Sequence, residues 1–406
     1  MAIKQWIEAL SLCGLLTFGL TACEEAKTPW DLHKDAGELR MQQGRFQEAE
    51  DELKAALQEA EKFGEQDSRL PQTLTKLAVL YDVQGDYDKA EPLLRRAVDL
   101  HRKNLKANDP ELAISLSNLG ALYHAQKQYD KAEPLFLEAL GVREGALGND
   151  HLDVVLDLKN LAGVHAARQQ YAQAEPFLVR ALAITEKNVG PDDPILVEHL
   201  NNLALLYRAQ QRYDQALPLL QRAISINEKA FGMESPGLIG SLNNLALIHI
   251  TQEAFPKAEI LLKRVVSITE LSFGPDNPRL APSLTNLAEL YRNMSQFDKA
   301  ISLLERALKI NEEKFGPDDA KVANLLNNLA LLYFNQEQYD KAEPLMKRAL
   351  AINKKTMGEE HPTVARTLKN YAALLRKTQR AAEADNLEAQ AEGILKNRSS
   401  ARNRDL

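Results

Sequence analysis

The sequence predicts an all-α fold, a solenoid of about nine antiparallel helix pairs. Three observations carry that prediction. A phrase close to N-L-A-x-L-Y, followed by Y-D-K-A-E-P-L, returns every 42 residues along most of the 406-residue chain. Leucine holds one phase at Leu77, Leu119, Leu161, Leu203, Leu245, Leu287 and Leu329, with Tyr371 in the next place. Alanine holds a second phase, from Ala90 and Ala132 to Ala342 and Ala384. Repetition at such a period marks an array in which each unit buries its apolar face against its neighbours. Such an array presents one long surface instead of a single closed pocket.

Taken in order, the chain opens with a leader. Lys4 precedes an apolar run from Ala9 to Leu20 that ends in Leu20-Thr21-Ala22-Cys23. These residues resemble a bacterial lipoprotein signal peptide over 1–22, with Cys23 as the acylated first residue of the mature chain. The run is too short for a comfortable transmembrane helix. The resemblance implies cleavage before Cys23, which removes Cys13 and leaves no free thiol. Disulfides, thiolate metal sites and thiol catalysis are then excluded. A short tether, 23–30, leads to the first helical pattern near Asp31 and spans roughly 30 Å at most. The array therefore starts close to a membrane surface and runs over 31–396, without a Pro/Gly/Ser-rich linker. A polar tail, 397–406, is expected to be disordered.

The unit from Ala113 to Gly148 shows why each repeat folds. Leu116, Leu119, Gly120 and Tyr123 fall on one helical face. A turn follows at Lys127 and Gln128. The second helix opens near Tyr129 and turns Ala132, Leu135, Phe136 and Ala139 inward. Small residues at Gly120, Ala132 and Ala139 allow close approach, while Tyr123 and Phe136 fill the space between units. Pro134 is expected in or beside the first turn, where a missing N–H costs little. Gly148 ends the helix. Turns such as Gly190-Pro191-Asp192-Asp193-Pro194 supply acidic residues, each expected to cap the next helix.

These residues resemble the tetratricopeptide repeat (TPR), in the 42-residue form typical of the kinesin light chain. The pattern L-x-x-L-[AG]-x-x-Y…A-x-x-x-L-x-x-A runs through seven units from about Leu74 to Met357, with His165, His249 and Val265 as exceptions. A looser unit around Arg45–Glu50 precedes them and another, Leu368 to Leu395, follows. The resemblance implies a right-handed superhelix whose first helices line a concave, peptide-holding groove.

Two series project toward that groove. Asparagine precedes the anchor residue at Asn118, Asn160, Asn202, Asn244, Asn286, Asn328 and Asn370, and is doubled at Asn201, Asn243 and Asn327. Asparagine is a mediocre helix former. Its amide either reads an extended peptide backbone or braces neighbouring helices. One turn beyond the anchor pair, Arg208, Ile250, Arg292, Phe334 and Arg376 alternate charge with apolar surface. That alternation suits a ligand mixing carboxylates with hydrophobic side chains. The carboxylate clamp of chaperone-tail binders is absent, because Gly163 follows Lys159 at the required turn. Arginines such as Arg180, Arg264, Arg306 and Arg348 read as a solvated charged face.

Net charge is −7 with both signs interspersed, which gives no footprint for nucleic acid. No metal-ligand spacing, phosphate loop or nucleophile motif stands in the sequence. No cofactor, metal or small-molecule substrate is expected, and the chain is not expected to be an enzyme. The expected function is a membrane-anchored, periplasm-facing scaffold or adaptor that binds proteins or extended peptides. It is placed in the bacterial envelope, the outer membrane ahead of the inner. The alternatives are an assembly scaffold and a cytosolic adaptor like the kinesin light chain.

Overall fold

The computed structural model describes residues 27–402, and all regular structure among them is helical. The leader and Cys23 lie outside the described residues. No described helix is long and apolar enough to cross a membrane. The chain divides into two compact units between Gln210 and Gln211. The first holds α1 (Pro29–Gln42), α2 (Phe46–Lys62), α3 (Arg69–Gln84), α4 (Tyr87–Asn104), α5 (Pro110–Ala125), α6 (Tyr129–Leu147), α7 (Val154–Ala167), α8 (Tyr171–Val189) and α9 (Leu196–Ala209). The second holds α10 (Tyr213–Phe231), α11 (Leu238–Thr251), α12 (Phe255–Phe273), α13 (Leu280–Asn293), α14 (Phe297–Phe315), α15 (Ala320–Asn335), α16 (Tyr339–Met357), α17 (Pro362–Lys377) and α18 (Ala381–Arg402). Within each unit successive helices pack in pairs, and each pair packs on the next.

The worked repeat folds as its pattern requires. Leu116, Leu119, Gly120 and Tyr123 of α5 are buried, as are Ala132, Phe136 and Ala139 of α6. Gly120 is small for a specific reason: a Cβ there would lie 2.7 Å from Cε1 of Phe136. In several other repeats the same two places hold alanine over leucine, as in Ala78 with Leu94 and Ala162 with Leu178.

Each first helix ends by a left-handed residue. Lys127 has φ 62°, and Gln169, Glu253, Ser295, Glu337 and Gln379 repeat it in later turns, where Gly44 and Gly85 serve the first two. The wrapped chain satisfies the last carbonyls, with Gln128 N–H donating to Tyr123 O at 2.8 Å. A side chain in this conformation costs roughly 1–2 kcal/mol, which glycine avoids at some entropic expense. Gln169→Gly is therefore expected to stabilise by about 0.5–1 kcal/mol, read as a raised thermal midpoint. A lowered midpoint would show that Gln169 leaves this conformation in solution.

Several expectations need correction. Helix α1 starts at Pro29, two residues early, because Thr28 and Asp31 form a reciprocal capping box. Helix α18 continues to Arg402, into the segment expected to be a disordered tail, since no glycine or proline interrupts it there. Pro134 is the sixth residue of α6, one turn deeper than expected, and it stands on the exposed face where water can reach the freed carbonyl. Not every acidic turn residue caps. Asp109, Asp193 and Asp319 accept from the N–H two residues on at 3.0, 2.9 and 2.8 Å. His151 and His361 do the same through Nδ1. Asp318 instead receives Lys355 at 2.8 Å. The arginines of the second helices are also more than a solvated face. Arg180 reaches back to Glu144 at 2.6 Å and to the Asn149 carbonyl at 2.9 Å. Arg264 and Arg348 repeat both contacts one repeat apart from their partners.

The joints between repeats contain buried polar pairs, always 14 residues apart. They are His101 with Ser115 (2.8 Å), Thr185 with His199 (3.3 Å), Thr269 with Ser283 (3.2 Å) and Asn353 with Thr367 (3.1 Å). Between α6 and α7 the pair is ionic. Arg143 donates to Asp157, whose other oxygen accepts from Ser117 at 2.8 Å. Burial pushes the Asp157 carboxyl up, while the Arg143 and Ser117 hydrogen bonds oppose the rise. Burial likewise lowers His101 and His199, favouring their neutral forms.

Candidate binding surface

The asparagine series lies on the first helices, half-buried at Asn118, Asn160, Asn201, Asn202, Asn243, Asn244, Asn286, Asn328 and Asn370 and buried at Asn327. Its members are used in two ways. Asn286 donates to Asn243 at 3.2 Å and Asn370 donates to Asn327 at 3.1 Å, so these amides brace adjacent first helices. Asn202 acts on Glu198 of its own helix. Asn118, Asn160, Asn244 and Asn328 have no side-chain hydrogen bond among the described residues. Each of those four retains two N–H donors and a carbonyl acceptor at the surface.

The arginine series does not share that face. Six residues separate Asn202 from Arg208, and at ~100° per residue they point about 120° apart around the helix. Arg208 is half-buried without a side-chain partner among the described residues. Arg292 donates to Glu289 at 3.1 Å. Arg376 is gripped by Glu388 at 2.6 Å and Asp385 at 2.7 Å, hydrogen bonds that raise its pKa further. Ile250 packs at the edge of the core around α12 and α13. Phe334 sits in the cluster between α15 and α16, its ring 5.6 Å from Tyr339. Both apolar members thus help to seat a first helix on the start of its own second helix.

The residues that do flank the asparagines are others, four before and three after in each helix. They are Ile114 and Ala121 around Asn118, Leu156 and Gly163 around Asn160, and Leu247 after Asn244. Ile114 and Leu247 are 42% and 39% exposed. The i, i+3, i+4 rule applied from the asparagine would have found them. In each unit, taken by itself, the first helices therefore combine open amides with an exposed aliphatic side chain, Ile114 in the first and Leu247 in the second.

The histidines build no site. His165 is buried, stacked on Phe177 at 5.7 Å and within 3.5 Å of Glu133. Among the described residues no three His, Cys, Asp or Glu side chains are grouped to hold a metal ion.

A family description of the tetratricopeptide repeat matches residues 32–103, 69–145, 111–187, 153–229, 237–313 and 321–397, and a second one 285–355. The chain belongs to the tetratricopeptide repeat family. Its TPR units repeat every 42 residues. Among solved structures it is similar to BtubC (BKLC) from P. vanneervenii, at 22% identity over 57% of this chain and 92% of that one, TM-score 0.50. A putative kinesin light chain of Podosopora anserina with TPR-like repeats is 24% identical over 50% of this chain and 95% of that one, TM-score 0.46. Aspartyl phosphate phosphatase F from Bacillus subtilis is 14% identical over 93% and 96% of the two chains, TM-score 0.53. These are likenesses of fold. A comparison with curated proteins found no match. As a TPR array the chain is a protein-interaction scaffold, a class that is generally non-enzymatic.

Proposed function

We propose that this TPR protein is a non-catalytic adaptor, anchored through Cys23 and facing the periplasm, that holds extended peptide segments along its first-helix face. The observation that carries the reading is the set of open amides at Asn118, Asn160, Asn244 and Asn328 beside the exposed aliphatic side chains Ile114 and Leu247. An extended backbone offers alternating donors and acceptors that asparagine meets without demanding a sequence, and the aliphatic groups favour apolar residues between those contacts. Arg208, on the flank, adds attraction for a carboxylate. Arg292 and Arg376 would have to exchange their present carboxylates for a ligand's.

Replacing Asn118, Asn160, Asn244 and Asn328 together by alanine is expected to leave helicity intact, since alanine is the better helix former. Capture of the partner in pull-downs from envelope extracts should be lost. Unchanged capture of the same partner would refute this surface. The anchor is tested separately: Cys23→Ser should release the protein from membranes on fractionation, and retention in the membrane fraction would refute acylation.

A further inference from the structure

Helix α1 exposes the face by which every later repeat is covered. Leu32 and Leu39 stand two turns apart on one side of it and are 56% and 51% exposed. Their counterparts in the next repeat are Thr73 and Leu80, and the same two phases continue every 42 residues to Thr367 and Leu374. All residues in both later series are buried. The cause is the preceding second helix, to which this phase hydrogen-bonds in His101–Ser115 and Asn353–Thr367. Among the described residues no helix precedes α1. The outer end of a repeat array is ordinarily polar. At the far end, Leu395 apart, that holds: Glu388 and Glu392 occupy the phases of Met346 and Leu350. At α1 the outer face instead carries Leu32 and Leu39, with Asp35 beside them held by Lys27 and Lys34 at 2.7 and 3.2 Å.

We propose that the Leu32–Leu39 face of α1 lies against the lipid bilayer, as a second membrane contact beside the anchor at Cys23. The proposal rests on the lipid-anchor reading. Five residues, Glu24 to Thr28, separate Cys23 from α1, so an acylated Cys23 keeps the helix within roughly 20 Å of the headgroups. Once the leader is removed, those five residues are too few to supply the missing covering helix. The bilayer is then the apolar phase within reach, and an interfacial helix buries one such face in it. A second contact also fixes the direction in which the array leaves the membrane, which a flexible tether alone would not.

The test uses the full-length chain, expressed and processed in a bacterial envelope, with a benzophenone amino acid at position 39. A parallel chain carries it at position 137, because Leu137 of α6 is similarly exposed at 48%. Irradiation of native membranes is expected to give a phospholipid adduct at position 39 that is lost at position 137. Four results overturn the proposal: no adduct at 39, adducts to residues 1–22, adducts to a second copy, or equal lipid labelling at both positions. Mass analysis of the N-terminal peptide from the same sample reports acylation separately. Acylated Cys23 without a lipid adduct at 39 leaves the anchor standing and removes the docking. Unmodified Cys23 removes the anchor, and the docking survives only if position 39 still captures phospholipid.

Discussion

Asp157→Ala is expected to destabilise the first unit by about 3–5 kcal/mol, the range for breaking a buried ion pair by removing one partner. The change leaves Arg143, a residue 5% exposed, with the neutral Ser117 hydroxyl at 3.3 Å as its remaining side-chain hydrogen-bond partner. Desolvation of that charge, more than the lost attraction, sets the size of the effect. Removing both charges should behave differently. Arg143→Asn with Asp157→Thr transplants the neutral pair that Asn353 and Thr367 form at 3.1 Å. Its cost should fall well below that of Asp157→Ala, because a hydrogen-bonded neutral pair carries no unpaired buried charge. An array of repeats unfolds locally, so hydrogen exchange across α6 and α7 is the appropriate measurement. A single-variant cost below about 1 kcal/mol would mean that water reaches the pair in solution.

Phe136→Ala is expected to cost about 3–5 kcal/mol, since the ring is 1% exposed and its loss opens a cavity between α5 and α6. The informative experiment is the exchange of shapes. Gly120→Ala alone should cost about 1–3 kcal/mol, because the new methyl group meets the Phe136 ring at 2.7 Å. Phe136→Leu alone leaves space that nothing fills. Together the two changes rebuild the alanine-over-leucine contact of Ala78 with Leu94. The double variant should therefore be more stable than the sum of the single costs implies, by roughly 0.5–3 kcal/mol of coupling. Additive costs in urea melts would show that the two residues do not share one space.

Much of this architecture was legible because a single period governs it. Leu119, Ala132 and Tyr123 recur in phase, and burial at those phases is what a helix pair stacked on its neighbour requires. What escaped were residues whose role depends on a neighbour one repeat away. His101, Arg143, Thr185 and Asn353 share a phase but no chemistry, so a search for repeated residue types passes over them. Their partners, 14 residues on, make the pattern visible only once the helices are packed. Lys127 and Gln169 carry no mark of a left-handed backbone, because the demand comes from closure of the turn. On the candidate surface, the asparagines were found by repetition. The arginine series shares their interval along the chain, but the ~100° step of the helix places it elsewhere.

The sequence by itself determined the fold class, the length of the repeat and the identity of its packing residues, since helical periodicity and unit length are local properties. Only the tertiary structure decided which asparagines are spent on bracing and which stay open. It alone decided that Arg376 is already occupied and that Arg143 and Asp157 form a buried pair. Those outcomes depend on which side chains meet across a helix or a repeat boundary. Duplication copies residues along a chain, but partners are assigned in space.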